Sequence, residues 1–552
     1  MMKSVLQVDL IKSQIDYAVR HLMSEINRDA SAPAFGCFDR RYWAWKLVDF
    51  PEATFQRNVF PLAWYWNRHT TDPVIEREGL RQAIIAGLLY TFQIQHKDGS
   101  FDQAFPHEHS YGATAFILQP LLLTYQIMSA ELSASDRAIC QTGLQRAARF
   151  LTSHAETHDL ISNHLAGAAL ALLHSGDFFH QSEFTTTGNK LIDFILKHQD
   201  PEGWFPEYGG ADPGYQSLCL YYLSQASDYF HTDHTLHNAL GKAVEFLACF
   251  IHPDGSFAGE YGSRRTSIYY PGGIALLACK NATAAAMTHR MLDSIAKGKT
   301  VTVQDVDMGN FAPLLQNLIL AYKVVSESQL KLQKPLPCDA ENLCMDFPNA
   351  GISVRANKRY YAIIGVSNGG VVKVFERNTG KTLFNDAGYW GILTNQRKVS
   401  TQFTILGRPS QRSDSEIYFE APFYEVLASI PNPFQFVILR ILNITVMRSI
   451  VVGNLIKKLL VQLLIKGQRK IALRLLRRIC FSEESIEIED SIIADSRLKL
   501  QQLSCGSPFV SIHMASARYY PSVYEAGEDS KNVVEVASLN QGGTVMNRIV
   551  IQ

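Results

Sequence analysis

A short turn recurs through the N-terminal part of the chain and limits the folds open to it. Gln95-His-Lys-Asp-Gly-Ser-Phe101, Gln199-Asp-Pro-Glu-Gly-Trp-Phe205 and His252-Pro-Asp-Gly-Ser-Phe257 each follow one apolar helical pattern and precede another. The glycine lets the backbone take a positive φ as the chain reverses, and the aromatic after it can fold back into the hairpin. Gly99 and Gly203 are twice as far apart as Gly203 and Gly255, so the unit is about 52 residues, close to the range of helical repeats. A degenerate copy is expected midway, and His158-Asp-Leu-Ile-Ser-Asn-His164 stands there before LAGAALALL. Phe38-Asp39 before RYWAWKLVDF, and Asp305-Val-Asp-Met-Gly-Asn310 before FAPLLQNLILAYK, extend the series to about six helix pairs.

One αα-hairpin cannot cover its own apolar face and must stack on neighbours. Six pairs can close into a ring, so residues 1–330 are expected to form an incomplete toroid of the (α/α)6 type, with an open solenoid as the alternative. From about Asp346 the period changes to the strict alternation of antiparallel strands, punctuated by Asn368-Gly-Gly370 and Asn378-Thr-Gly380. The expected fold class is therefore α+β and multidomain. A linker at 331–346, with Pro335 and Pro337, leads to a β-sandwich-like domain at 347–552. Strands are expected to resume near Ile486 and to run through VVEVASL and NRIVIQ. Residues 434–479 carry ten Lys or Arg and no acid, and are expected to be a basic amphipathic helical insertion. It would either touch an anionic membrane surface or a partner, or pack on the sheet with its arginines paired to Glu483–Asp495.

Composition narrows the partners. Lys plus Arg equals Asp plus Glu at 52 each, so no global charge calls for nucleic acid. Nine cysteines are scattered with no CxxC pair, as expected of buried thiols in a reducing compartment. The first residues, MMKSVLQVDLIKSQIDYAVRHL, read as an amphipathic helix rather than an export signal, and no run is apolar enough to span a bilayer. These features point to a cytoplasmic protein with, at most, peripheral membrane contact.

In a toroid the turns entering the inner helices gather at one mouth. The positions just after them are rich in His109, Tyr111, Asn163, His164, Tyr208, Tyr215, Tyr261, Arg264, Arg265 and Asn310, with Glu207, Asp212 and Glu260 among them. Such a ring suits a polyhydroxylated, acidic oligo- or polysaccharide. It also suits β-elimination at a uronic acid: an amide or cation neutralises the carboxylate so that the C5 proton can leave. Asn163 fits that role, helped by His164 or an arginine. His164 or a tyrosinate can take the proton, and Tyr215 can protonate the departing oxygen. The scheme requires no metal or other cofactor.

The Asn163-His164 pair, with Tyr215 about 50 residues later inside EYGGADPGYQSLCLYYL, resembles the heparinase II/III and alginate lyase group. GGVVKVFERNTGKTLFNDAGYWG resembles the start of that group's sandwich. The resemblance implies a helical toroid that supplies an Asn or His and a catalytic Tyr, with a β-sandwich closing the cleft; Tyr208 is also available for the tyrosine role. One departure is that several members use a further His from the β domain, and only His513 follows His289 here. A uronyl C5-epimerase shares the first chemical step, and a non-catalytic glycan-binding or polysaccharide-assembly protein is the reading from another class. A glycoside hydrolase would need opposed carboxylates, for which Glu207, Asp212 and Glu260 are less suggestive. The turns also resemble terpene-cyclase repeats, but no DxDD or DDxxD motif is present.

Overall fold

A computed structural model describes residues 2–69, 72–156, 160–229, 234–328, 334–426, 432–448, 452–453, 455–456, 469–506, 514–517 and 534–552. The helical part contains α1 (Met2–Glu25), α2 (Arg40–Trp43), α3 (Val59–Asn67), α4 (Arg77–Gln93), α5 (Tyr111–Met128), α6 (Ala134–Ser153) and α7 (Ser162–Phe179). It continues with α8 (Ser182–Lys197), α9 (Pro213–Ala226), α10 (His234–Ala248), α11 (Pro271–Leu277), α12 (Ala282–Ala296) and α13 (Met308–Glu327). Helices α3, α5, α7, α9, α11 and α13 touch in succession, and α13 returns to α3. They form an inner ring, with α4, α6, α8, α10, α12 and α1 packed outside it. The burial strings explain the sorting. Helix α9 buries nearly every residue, whereas α8 buries only Phe184, Gly188, Ile192 and Ile195 along one stripe.

The repeated turn does the same physical job in the first, second and fourth pairs. Gly36, Gly99 and Gly203 have φ of +93°, +96° and +101°. A Cβ on them would fall 2.2, 2.2 and 2.5 Å from the carbonyl oxygens of Ala86, Arg146 and Lys242, on the outer helices α4, α6 and α10. The first copy of the turn is thus Gly36-Cys37-Phe38, with Phe38 in the place of Phe101 and Phe205. The leading glutamine ties the turn to the next hairpin. Gln95 Nε2 donates to the carbonyls of Gly99 and Gly143, and Gln199 Nε2 to those of Gly203 and Ala239, all within 3.1 Å. Gly203→Ala should cost about 2–3 kcal/mol through its left-handed backbone and the Lys242 clash. A shift in the urea midpoint measures this; an unchanged midpoint would show that the close approach does not matter.

Beyond α13, β1 (Leu343–Phe347), β2 (Ile352–Ala356), β3 (Tyr360–Gly365), β4 (Val371–Glu376) and β5 (Thr382–Asp386) form an antiparallel meander in that order. The strand region thus begins inside the segment read as linker. A second antiparallel sheet contains β6 (Tyr389–Leu393), β7 (Lys398–Ser400), β8 (Ser410–Arg412), β9 (Glu416–Val426), β10 (Arg469–Phe481), β11 (Ile486–Ala494), β12 (Leu500–Cys505) and β13 (Thr544–Ile551). Its order is β12-β6-β7-β9-β10-β11-β13, with β8 on β9. Strands β2 and β3 are buried along their whole length because the first sheet is the middle layer. Tyr361, Ile363 and Phe375 pack into the toroid core, while Ala362, Ile364 and Val374 pack against the second sheet.

Two expectations need correction here. Helix in the basic stretch stops well before its end: α14 (Pro433–Ile444) is followed by the 3₁₀ turn Val446–Arg448 and by helical residues at 452–453 and 455–456, whereas Arg469–Phe481 is a central strand rather than part of a helical insertion. Leu473, Leu475, Arg477 and Ile479 alternate inward, and Arg477 is buried between Asp386 and Asp490 at 2.6 and 2.7 Å. Arg474 pairs with Asp495 and Arg478 with Glu489, so the acidic stretch does receive these arginines. The second correction is that VVEVASL ends in a helical turn, Ala537–Asn540, before β13.

Candidate active site

The turns of the third, fourth and fifth helix pairs are stitched together where they meet. Ser162, at the start of α7, donates through its N–H and Oγ to the Pro206 carbonyl. Ser263 donates through its N–H to Ala211 and through its Oγ to the Glu207 carbonyl. Asp212 secures the junction: it caps α9 by accepting from Tyr215 N–H at 3.0 Å, and its other oxygen accepts from Arg264 N–H at 2.9 Å. The Thr266 hydroxyl also donates to it. One buried carboxylate thus sets the backbones of Tyr215 and Arg264. Burial raises the Asp212 pKa, while Thr266 and the backbone donors work against that rise.

These segments open into a cavity of about 300 Å³ at the toroid mouth. Asn163, His164, Tyr208, Tyr215, Arg264 and Asn310 all line it. Asn163 Nδ2 donates to Glu207 Oε2 at 2.8 Å, and Arg264 donates to Glu207 Oε1 at 3.0 Å. The Arg264 guanidinium lies 4.2 Å from the ring centres of both Tyr208 and Tyr215. Tyr208 is held in this clamp with φ of +52°, a conformation rare outside glycine. Burial lifts the Glu207 carboxyl above its usual range, against the pull of Arg264, His164 and Asn163. Burial likewise holds the Tyr215 phenol well above its ordinary value, even with Arg264 beside it. His164 Nδ1 lies 2.9 Å from Glu156 Oε2, and its ring stands edge-on to Phe116 at 5.0 Å.

Four residues proposed from sequence as substrate contacts are placed elsewhere. His109 turns back on its own loop, with Nδ1 2.7 Å from Asp98 and its ring 4.2 Å from that of His96. Tyr111 is buried in the toroid core at the first position of α5. Tyr261 is enclosed, its hydroxyl 2.8 Å from His252 Nε2. Arg265 is directed at the β domain, where its guanidinium donates to the Gln402 carbonyl. The fifth turn is occupied by the domain junction: Lys373 pairs with Glu260 at 3.1 Å, and Asn368 donates to the carbonyls of Glu260 and Gly262. His513 lies outside the described residues, as do His158 and Asp159 of the degenerate turn; Met514 lines the cavity.

The cavity also takes in residues that the turn pattern did not flag. Arg57 comes from the 3₁₀ segment Ala53–Asn58 and donates to the Gly309 carbonyl at 2.7 Å. Leu218 and Tyr222 extend the face that begins with Tyr215 on α9. Their spacing of three and seven residues was a usable helical signal. Glu156, Glu108 and Tyr270 complete much of the polar wall.

The fold, a helical toroid backed by antiparallel sheets, is one that solved lyases share. Residues 58–290 match the family model of the ulvan lyase N-terminal domain. The chain is similar in structure to a Streptomyces coelicolor A3 chondroitin AC lyase solved with chondroitin sulphate, with a TM-score of 0.54 at 10% identity over 90% of this chain and 67% of that one. A heparan sulfate lyase from Pedobacter heparinus aligns with a TM-score of 0.41 at 11% identity, over 90% of this chain and 70% of that one. No curated protein matches the chain by sequence.

Proposed function

We propose that the protein is a polysaccharide lyase, a carbon–oxygen lyase that cleaves uronic-acid-containing glycans by β-elimination in this cavity. The observation that carries the reading is the convergence of Asn163, His164, Tyr215 and Arg264 on one wall from three separate turns. The ulvan lyase domain match over the same helices supports it.

Each residue has a role that its surroundings favour. One N–H of the Asn163 amide is committed to Glu207, which leaves the second for the substrate carboxylate. Arg264 adds positive charge where the enolate-like intermediate builds up electrons. With Glu156 accepting from Nδ1–H, His164 presents the lone pair of Nε2 as base for the C5 proton. Tyr215, kept protonated by burial, donates its proton to the glycosidic oxygen as the C4–O bond breaks and the C4–C5 double bond forms. Glu207 touches Asn163 and Arg264 and acts as a positioning residue.

The test is incubation with a panel of uronic-acid polysaccharides and oligosaccharides that includes ulvan and chondroitin sulphate, followed by near-ultraviolet absorbance of the unsaturated product. Asn163→Ala should lower the rate about 100- to 1000-fold, the range for losing one donor to a developing oxyanion. Absence of product from the folded protein across the panel would overturn the lyase reading. Solvent deuterium appearing at C5 in that case would identify an epimerase.

A further inference from the structure

Helix α14 reverses the usual amphipathic arrangement. Its inward side supplies the buried Asn443, with Met447 just beyond, and Arg440 reaches back to Asp49 at 3.0 Å. The apolar stripe faces the other way. Phe434, Ile438, Ile441 and Ile444 follow a spacing of four, three and three residues, with Phe434 80% exposed and the isoleucines about half exposed. The loop that receives Arg440 adds Trp45 and Leu47, 68% and 83% exposed. A helix that belongs to a core buries such a stripe. Contiguous exposed apolar surface of this extent marks a contact site.

Charge identifies the occupant. No acidic residue occurs from Phe434 to Ile479, and three of the ten basic residues there, Arg474, Arg477 and Arg478, are paired within the sheet. Arg448, Arg469 and Lys470 are exposed. An outward apolar stripe with the exposed Arg448 just beyond the end of its helix matches the boundary between headgroups and acyl chains of an anionic bilayer. Among the described residues no helix is long and apolar enough to cross a membrane, which fits contact in the interface plane.

We propose that α14 and the loop carrying Trp45 and Leu47 form a peripheral membrane-binding face that seats on anionic lipid. The test is flotation of the full chain with vesicles of pure phosphatidylcholine and with vesicles of phosphatidylcholine mixed with phosphatidylglycerol. Binding to the mixed vesicles should exceed binding to phosphatidylcholine by at least about tenfold and should weaken with salt. It should be lost in the triple variant Phe434→Ser, Ile438→Ser, Ile441→Ser, whose exposed positions leave the fold and circular dichroism unchanged. Equal binding to both vesicle types, no binding, or undiminished binding by the variant would overturn the proposal. So would concentration-dependent dimerisation in sedimentation equilibrium that the same substitutions abolish, which would assign the face to a second copy of the chain.

Discussion

Tyr215→Phe should reduce kcat by about 10²- to 10⁴-fold, the usual contribution of a positioned proton donor, with a much smaller change in KM. The substitution removes one oxygen and keeps the ring on which Arg264 stacks, so thermal stability should hardly move. The pH profile provides a second readout. Because the Tyr215 phenol is held well above its ordinary value, its ionisation should produce no alkaline loss of rate below the usual tyrosine range. If the variant kept activity within about tenfold of the parent, the proton donor would be reassigned to Tyr208, across the same guanidinium, and Tyr208→Phe would then carry the large loss.

The largest stability effect is expected far from the cavity. Arg477→Met should destabilise the protein by about 3–5 kcal/mol, the cost of breaking a buried ion pair by removing one partner. The Arg477 side chain and both its carboxylate partners are 0% exposed, so truncation strands Asp386 and Asp490 without a cation. The Tyr389 hydroxyl donating to Asp490 at 2.7 Å supports only one of them. Adding Asp386→Asn and Asp490→Asn should recover much of the loss, since the penalty comes from stranded charge rather than lost contact area. Denaturant midpoints of the single and triple variants check both statements. A single variant within about 1 kcal/mol of the parent would show that the carboxylates find water or protons without cost.

Arg477 also shows where the sequence becomes hard to read. The run RKIALRLLRRICF alternates in burial, but one of its inward positions is an arginine, which hides the period of two. Its justification, Asp386, lies 91 residues earlier and is recognisable only once β10 stands beside the first sheet. The toroid was legible for the opposite reason. The geometry of Gly99 and Gly203 is local chemistry, and a turn repeated at one interval forces helix pairs to stack. The cavity falls between these cases. Nearness to a turn located Asn163, His164, Tyr215 and Arg264, but could not tell which side chains the turn or the domain junction would consume. His109 folds onto Asp98, and Tyr261 and Arg265 are taken up at the junction with the β domain. Arg57 enters from a 3₁₀ segment that carries no repeat signal.

The first sheet is core on both faces, and this governs how the molecule can receive a polymer. Two domains joined by a strand of solvent-exposed chain can swing open around a substrate. Here the toroid and the outer sheet share one interior wall, fastened by the Lys373–Glu260 pair and by Tyr361 donating to the Cys249 carbonyl at 2.6 Å. Opening the pair like a clamshell would bring that wall into water. On the proposed lyase reading, the cavity is a socket whose inner wall does not swing, so a glycan is admitted or refused by its own girth and branching, and adjustment falls to the side chains on the rim.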